Sequence, residues 1–403
     1  MSRVRPALVA VLLVIASATA ALAVSGNVSA PVQPSDDPVV GTSENSTRVL
    51  LLTDADAAEF SQPTASVTDT LDSGYAELST DLRFMQVEQR LETAETPAEK
   101  RQVLENATRT AERRLESLQS REQAARSQFA TGQITSREFL FAISRIHAEA
   151  TRLVSTIGRS TSEGTLYDYA GTLTEDTDVR PRLSRVRTQL AGLEGPVRER
   201  VAAVVHGNRD AIRVHVTVGD GLMLSTIDGG EYVRETYRPD NLVDETAGYG
   251  DARGLVNSLY PWIEQITAES SLTLSANYAI NYNVNHPHGQ LAVWVNTATE
   301  RVYVERQEVV LSQLPADAEV THTANNTTLS TSRTYAGGPL LVQVQNASGA
   351  PVDATISLDG LQVGETDNDG RFWLLSPAGD YTITADPADG PTLEANVSAP
   401  PTP

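Results

Sequence analysis

Apolar positions in this chain first fall at helical spacing and then switch to alternation. Leu104, Ala107, Ala111, Leu115 and Leu118 line one face of a run that begins near 97. Phe139, Ile143, Ile146, Ala150, Leu153 and Ile157 follow at steps of 4, 3, 4, 3 and 4, which is an a/d heptad seam. Both runs open on the same start signal. Thr96-Pro97-Ala98-Glu99 and Thr135-Ser136-Arg137-Glu138 each offer a hydroxyl cap and a glutamate three residues on, and Gly132 separates them. An earlier apolar set around Leu78, Leu82, Met85 and Leu91 predicts a third helix in the same antiparallel bundle. A shorter helical link follows from Leu183 to about Val205, restarted at Gly195-Pro196.

Beyond 210 the period becomes two. Ile212, Val214, Val216 and Val218 alternate with Arg213, His215 and Thr217, the pattern of a half-buried strand. Gly219-Asp220-Gly221 and Asp228-Gly229-Gly230 turn this strand into Leu222–Ile227 and Tyr232–Tyr237. A helix with Pro261 inside it is expected over Gly254–Glu269. Tyr278, Ile280, Tyr282 and Val284 then alternate with Ala279, Asn281, Asn283 and Asn285, the His286–Gly289 turn follows, and two further strands close the sheet. The expected architecture is multi-domain, α and β. A helical bundle spans 48–160, an α+β antiparallel-sheet domain 161–317, a C-terminal β-sandwich 318–398 and a tail 399–403.

The N-terminus adds a compartment. Arg3 and Arg5 precede an uncharged, mostly apolar run from Ala7 to Val24 that ends on Ala21-Leu22-Ala23, the three parts of a secretory signal. Residues 1–24 are therefore read as a signal peptide or, uncleaved, as an N-terminal membrane anchor. The proline- and serine-rich stretch 25–47 reads as a tether. Val49–Leu52 is a buried strand in search of a sheet. The expected location is extracellular or at the cell surface, with contact to the membrane only through an uncleaved 1–24.

Composition narrows the partners. The net charge is −21, there is no cysteine, and Lys100 is the only lysine among 31 basic residues. Disulfides, thiolate nucleophiles and cysteine-held metals are excluded, and so acid-rich a chain is a poor fit to nucleic acid. Residues 97–160 run against the trend with 11 basic and 7 acidic residues, which reads as solvated helix faces with Glu105–Arg109 and Glu122–Arg126 pairs or, alternatively, as a docking face for an acidic partner or anionic lipid heads. Lysine-poor acidity of this kind resembles that of proteins from extremely halophilic archaea, where a dense carboxylate surface maintains solubility in salt. Seven Asn-x-Ser/Thr triplets occur; Asn45, Asn325, Asn326, Asn346 and Asn396 are the candidate glycosylation sites, and Asn106, inside a helical pattern, is the poorest.

The stretch Leu340-Leu341-Val342-Gln343-Val344, then Gly349-Ala350-Pro351, Asp367-Asn368-Asp369-Gly370-Arg371-Phe372 and Pro377-Ala378-Gly379-Asp380-Tyr381, resembles the carboxypeptidase-regulatory-like, transthyretin-type β-sandwich of secreted proteins. The resemblance covers 338–387 and implies a fold rather than an activity. The helix, strand and hairpin near 254–295 faintly resemble PepSY-type modules of exported peptidase regulators. As a whole the chain resembles uncharacterised exported proteins of halophilic archaea.

Candidate chemistry is sparse. His286 and His288 flank a proline in a turn and lack a third ligand at a useful spacing. Asp367-Asn368-Asp369-Gly370 opens like a calcium loop, but the twelfth position is Ala378, so the aspartates serve the turn. No catalytic, cofactor-binding or metal residue is assigned, and no cofactor is expected. The amide row Asn281, Asn283, Asn285 is the one unusual polar set, able to hydrogen-bond a sugar or a strand edge, or simply to face water. The expectation is a non-catalytic envelope protein acting as spacer, adhesion or interaction module on a protein or glycan partner. Its alternatives are a PepSY-like regulator or inhibitor of an exported protease and a hydrolase with an unrecognised carboxylate site.

Overall fold

Two capping boxes set the helical layer. Thr96 and Thr135 each accept a hydrogen bond from the backbone N–H of the glutamate three residues on, and each glutamate returns the bond to the cap. The helices they open, α2 (Pro97–Ala130) and α3 (Ser136–Ile157), pack antiparallel and follow α1 (Val67–Thr93). The computed structural model describes residues 50–398 apart from 51, 53–54, 159–162, 174–177, 246–249, 265–268, 276–277, 288, 315–319, 334–336 and 378. All described residues belong to one compact unit, 37–403. The expected leader 1–24, tether 25–47, Val49 and tail 399–403 lie outside the described residues.

The seam of α3 is buried as its spacing requires: Phe139, Ile143, Ile146, Ala150, Leu153 and Ile157 are all in the core. α1 departs from expectation. It forms, and Leu91 is buried, but Leu78, Leu82 and Met85 face solvent rather than the bundle. The inward side of α1 is Phe84, Val87 and Leu91, one helical face away. The helical layer continues through α4 (Leu166–Gly171), α5 (Val179–Leu190) and α6 (Pro196–Val205).

This layer lies on an eight-stranded antiparallel sheet of order β1-β2-β3-β4-β8-β7-β6-β5. It is two four-stranded meanders joined through their last strands. The first is β1 (Ala57–Ser61), β2 (Val214–Val218), β3 (Leu222–Asp228) and β4 (Glu231–Tyr237); the second is β5 (Glu269–Ser275), β6 (Ala279–His286), β7 (Gly289–Asn296) and β8 (Arg301–Val310). The strand that opens the sheet is thus 57–61, later than the expected Val49–Leu52; of that segment Leu50 is buried and its carbonyl accepts a bond from Arg234 Nη2 at 2.9 Å. β2 is buried on both faces rather than one. Val214, Val216 and Val218 meet α3 and α6, while His215 packs on Phe60 with tilted rings 4.9 Å apart and lies against Gly337 of the C-terminal region. The helix expected over 254–269 is cut short by Pro261 to α7 (Ala252–Leu259), which with Tyr260 and Ile263 covers the second meander on the face away from the bundle.

The C-terminal region is a two-sheet sandwich. One sheet has the order β14-β11-β10-β9 and the other β13-β12-β15-β16, built from β9 (Val320–Ala324), β10 (Thr327–Arg333), β11 (Pro339–Asn346), β12 (Ala354–Leu358), β13 (Leu361–Glu365), β14 (Arg371–Leu375), β15 (Tyr381–Pro387) and β16 (Leu393–Val397). Val342, Val344, Ile356, Leu374, Tyr381 and Ile383 fill it. The sandwich is not a free bead. Leu375 and Trp373 of β14 join Tyr232, Val309, Leu311 and Leu314 in a cluster against the large sheet, and Ser225 Oγ donates to the Gly337 carbonyl at 2.7 Å. The turn at Asp367–Gly370 links strands of opposite sheets, so it is a crossing rather than a hairpin. Gly370 sits there at φ 72°, its carbonyl accepts from the Val344 N–H at 2.8 Å, and a Cβ would fall 2.5 Å from the Val344 carbonyl oxygen, which accepts from the Val352 N–H at 3.0 Å. Gly370→Val should therefore lower unfolding free energy by about 2–3 kcal/mol, read as a shifted denaturant midpoint with unchanged slope. An unchanged midpoint would mean that the turn accepts a branched residue.

Candidate functional site

The sheet is wider than the helices that cover it. Over β2–β4 the bundle face is sealed by valines and leucines against α2, α3 and α6. Over β5–β7 that face turns polar and the helices stand away, leaving a cleft of about 1020 Å³. Its floor is Ser271 and Thr273 of β5, Asn281 and Asn283 of β6, Gln290, Ala292 and Trp294 of β7, and Arg306 and Glu308 of β8. Strand alternation puts these side chains on one face, and the register aligns them. Ser271, Asn283, Ala292, Arg306 and Glu235 run in one row across five strands; Thr273, Asn281 and Trp294 run in the next.

The wall is helical. His147, Ala148, Thr151, Arg152 and Ser155 occupy one side of α3, and Pro196, Glu199, Ala202 and His206 one side of α6 and its end. Gly195 brings α6 close to the floor. The Glu235 carboxylate accepts from the Val197 and Arg198 backbone N–H groups at 2.8 and 3.3 Å and pairs with the buried Arg198 Nε at 3.0 Å. A Cβ on Gly195 would come within 2.0 Å of that held carboxylate, so only glycine permits this approach.

The polar groups of the floor are fixed before any ligand arrives. Asn283 Nδ2 donates to Asn281 Oδ1 at 2.9 Å, leaving the Asn283 carbonyl oxygen to accept. Arg306 Nη2 donates to the carbonyls of Ala191 and Glu194 at 2.8 and 2.9 Å, and its guanidinium lies 4.5 Å from the Trp294 ring centre. Arg152 is held by Asp81. His147 Nδ1 is buried with no hydrogen-bond partner among the described residues, as is Arg306 Nε. Burial, reinforced by the Arg198 and Arg306 guanidiniums, pushes the His147 imidazole down to about 3, so it is neutral at ordinary pH. Amides, hydroxyls and an aromatic ring capped by a guanidinium give the floor paired hydrogen-bond donors and acceptors beside an apolar ring.

Of this site, the sequence picks out Asn281 and Asn283; Asn285 is exposed beyond the floor. His147, next to Ile146 of the heptad seam, is a wall residue, and its role depends on a sheet more than 100 residues downstream. Trp294 and Arg306 carry a legible signal, since both alternate with buried residues of their strands and so point to the same face as the asparagines. His286 is buried in its turn, and His288 lies outside the described residues. Among the described residues no group of three or more His, Asp or Glu is placed to hold a metal ion. Among them, too, no helix is long and apolar enough to cross a membrane.

The candidate glycosylation residues lie apart from the cleft. Asn325 and Asn326 are exposed and form the two-residue turn between β9 and β10, both at positive φ (46° and 66°), so turn geometry alone accounts for asparagine there. Asn346 is exposed, its Oδ1 accepting from the backbone of Ser348 and Ala350 at 2.9 and 3.0 Å. Asn396 is exposed and accepts from Thr382 Oγ1 at 2.9 Å. Asn45 lies outside the described residues.

Three family models match the chain. A domain of unknown function (DUF7096) matches residues 1–210, a family of unknown function (DUF7094) residues 214–315, and an archaeal fibronectin-III type-like domain residues 318–393. Over the sandwich the match is thus to a fibronectin type, where the sequence resembles the carboxypeptidase-regulatory-like type. No curated protein and no solved structure matches the chain.

Proposed function

The chain belongs to the family of the domain of unknown function DUF7096, and from that footing we propose that it is a non-catalytic, exported cell-envelope protein that binds a glycan in the amide-floored cleft. The observation that carries this reading is the set of Asn281, Asn283 and Trp294 on one sheet face, its two amides joined by their own hydrogen bond, facing a helical wall across a cleft of about 1020 Å³. A peptide edge strand needs a run of free backbone partners. A sugar needs amides that donate and accept in pairs and a ring to stack on, which is what this floor offers. The fibronectin-type sandwich serves as a stand, and its packing against the large sheet through Leu375 and Tyr232 makes the two move together. Export rests on the charge, apolar run and small residues of 1–24.

Glycans released from the envelope of a producing cell, titrated into the full chain by calorimetry, test the reading. Asn283→Ala and Trp294→Ala should each weaken binding about tenfold, the ~1.4 kcal/mol of a lost hydrogen bond or stacking surface. Asn283 is only partly buried, so the melting temperature of Asn283→Ala should hardly change, whereas Trp294→Ala also loses packing against the core and is titrated well below its own melting temperature. Binding that is absent, or indifferent to both substitutions, would rule out the cleft as the glycan site.

A further inference from the structure

The outer face of α1 carries an apolar stripe that the rest of the chain does not cover. Leu71, Tyr75, Leu78, Leu82 and Met85 succeed one another at steps of 4, 3, 4 and 3, and with Val67 they are between 50 and 78 % exposed. That spacing is a heptad seam, the same rhythm that α3 buries, here without a partner helix among the described residues. The other faces of α1 are occupied, by Phe84 and Val87 against the bundle core and by Asp81 with Arg152.

We propose that this stripe is the seam of a homodimer, α1 packing against α1 of a second copy. Three observations select that occupant. The first is period: a strict 4-3 alternation confines the apolar groups to a narrow line that suits a helix of like pitch, whereas a helix lying on lipid presents a broader apolar face with cationic flanks. The second is charge. α1 holds six acidic residues against Arg83 and Arg90, which disfavours an anionic membrane surface. Beside the seam Gly74, Ser79 and Gln86 are neutral and Asp81 is already paired with Arg152, which leaves Asp72 and Glu88 as the flanking charges that salt must screen between two copies. The third is area. Six side chains at this exposure present on the order of 700 Å², close to the ~800 Å² per partner of a stable interface. A stripe that meets itself across a two-fold axis also closes, so the assembly stops at two.

Sedimentation equilibrium of the full chain across a salt series decides it. A monomer–dimer equilibrium is expected, tightening with added salt as the net −4 of each α1 is screened. Leu78→Glu combined with Leu82→Glu should weaken it about a hundredfold. Far-UV circular dichroism should stay the same, because both leucines already face solvent. Leu361→Glu, at an exposed leucine on the sandwich, should leave the dimer intact. The absence of cysteine gives a second readout. Leu78→Cys, at the middle of the stripe, places one thiol per chain, and mild oxidation should link two copies by a bond that Leu361→Cys does not form. A chain that stays monomeric at every salt and concentration overturns the proposal. So does a monomer whose Leu78→Glu/Leu82→Glu form loses binding to vesicles of anionic lipid, which would make the stripe a membrane contact.

Discussion

Arg234→Met is expected to cost about 3–5 kcal/mol of stability, because it leaves a carboxylate buried without its counter-charge. Arg234 and Glu305 are 3 % and 0 % exposed and pair at 2.6 Å on the sheet face away from the bundle. Glu305 also accepts from Tyr260 Oη at 2.6 Å and Gln307 Nε2 at 2.9 Å, and Arg234 reaches the Leu50 carbonyl. Burial pushes the Glu305 carboxyl up even against this guanidinium, so with Arg234 gone the acid must either stay charged in an apolar setting or take up a proton. The pair also ties together segments far apart in sequence: Leu50, β4, β8 and the end of α7. Arg234→Met should therefore raise the exposure of Leu50 as well as lower the denaturant midpoint. The double variant Arg234→Met/Glu305→Leu removes both charges and should recover most of the loss. If single and double variants are equally unstable, the cost lies in packing around Arg234 and not in the orphaned charge.

That network marks where the sequence stops being informative. Thr96, Glu99, Thr135 and Glu138 are legible because a capping box is closed within four residues, and the α3 seam is legible because periodicity is local. Leu78, Leu82 and Met85 show what periodicity leaves out: it establishes that a stripe exists and not which surface covers it. Arg234 and Glu305 stand 71 positions apart and read in isolation as polar residues on solvated strand faces. Nothing in a two-residue alternation announces that β2 and β4 are covered on both sides, because the second cover comes from α7 and the sandwich. The cleft was half visible for the same reason. Its floor is an alternation within β6 and β7, and its wall is brought there by the way α3 and α6 cross the sheet. The crossing at Asp367–Gly370 is similar: the turn chemistry is local, while the assignment of its two strands to opposite sheets belongs to the sandwich as a whole.

Acid should unfold this protein earlier than its carboxylates alone require, and two histidines are the reason. Burial pushes His147 down to about 3 and His215 down to about 4, against an ordinary value near 6.5. His215 is enclosed by Phe60, Thr217 and Gly337, and His147 by the cleft wall with Arg198 and Arg306 nearby. Both imidazoles are neutral in the folded chain and take a proton readily only when it unfolds. A group whose folded value is depressed contributes stability that is fully present above the unfolded value and is lost as pH falls towards the folded one. The window is therefore pH 6.5 downwards. By pH 5 each histidine should have cost roughly 2 kcal/mol, about 4 kcal/mol together, on the scale of ~1.4 kcal/mol per pH unit per proton. Glu99, Glu112, Glu138 and Asp240, held low by their hydrogen bonds, lose their contributions from the ordinary carboxylate value downwards, and Glu305, pushed up by burial, acts in the opposite sense, so the histidine part of the change between pH 7.5 and 5 is read as the difference between the native sequence and its histidine variants. Urea unfolding at fixed high salt, repeated across that interval, should show the decline in the native sequence. His147→Gln and His215→Gln should each remove about half of it, since a neutral amide of similar length takes up no proton in either state. A decline that survives both substitutions unchanged would mean that neither imidazole is held neutral by the fold, and that the source of acid sensitivity lies in other groups.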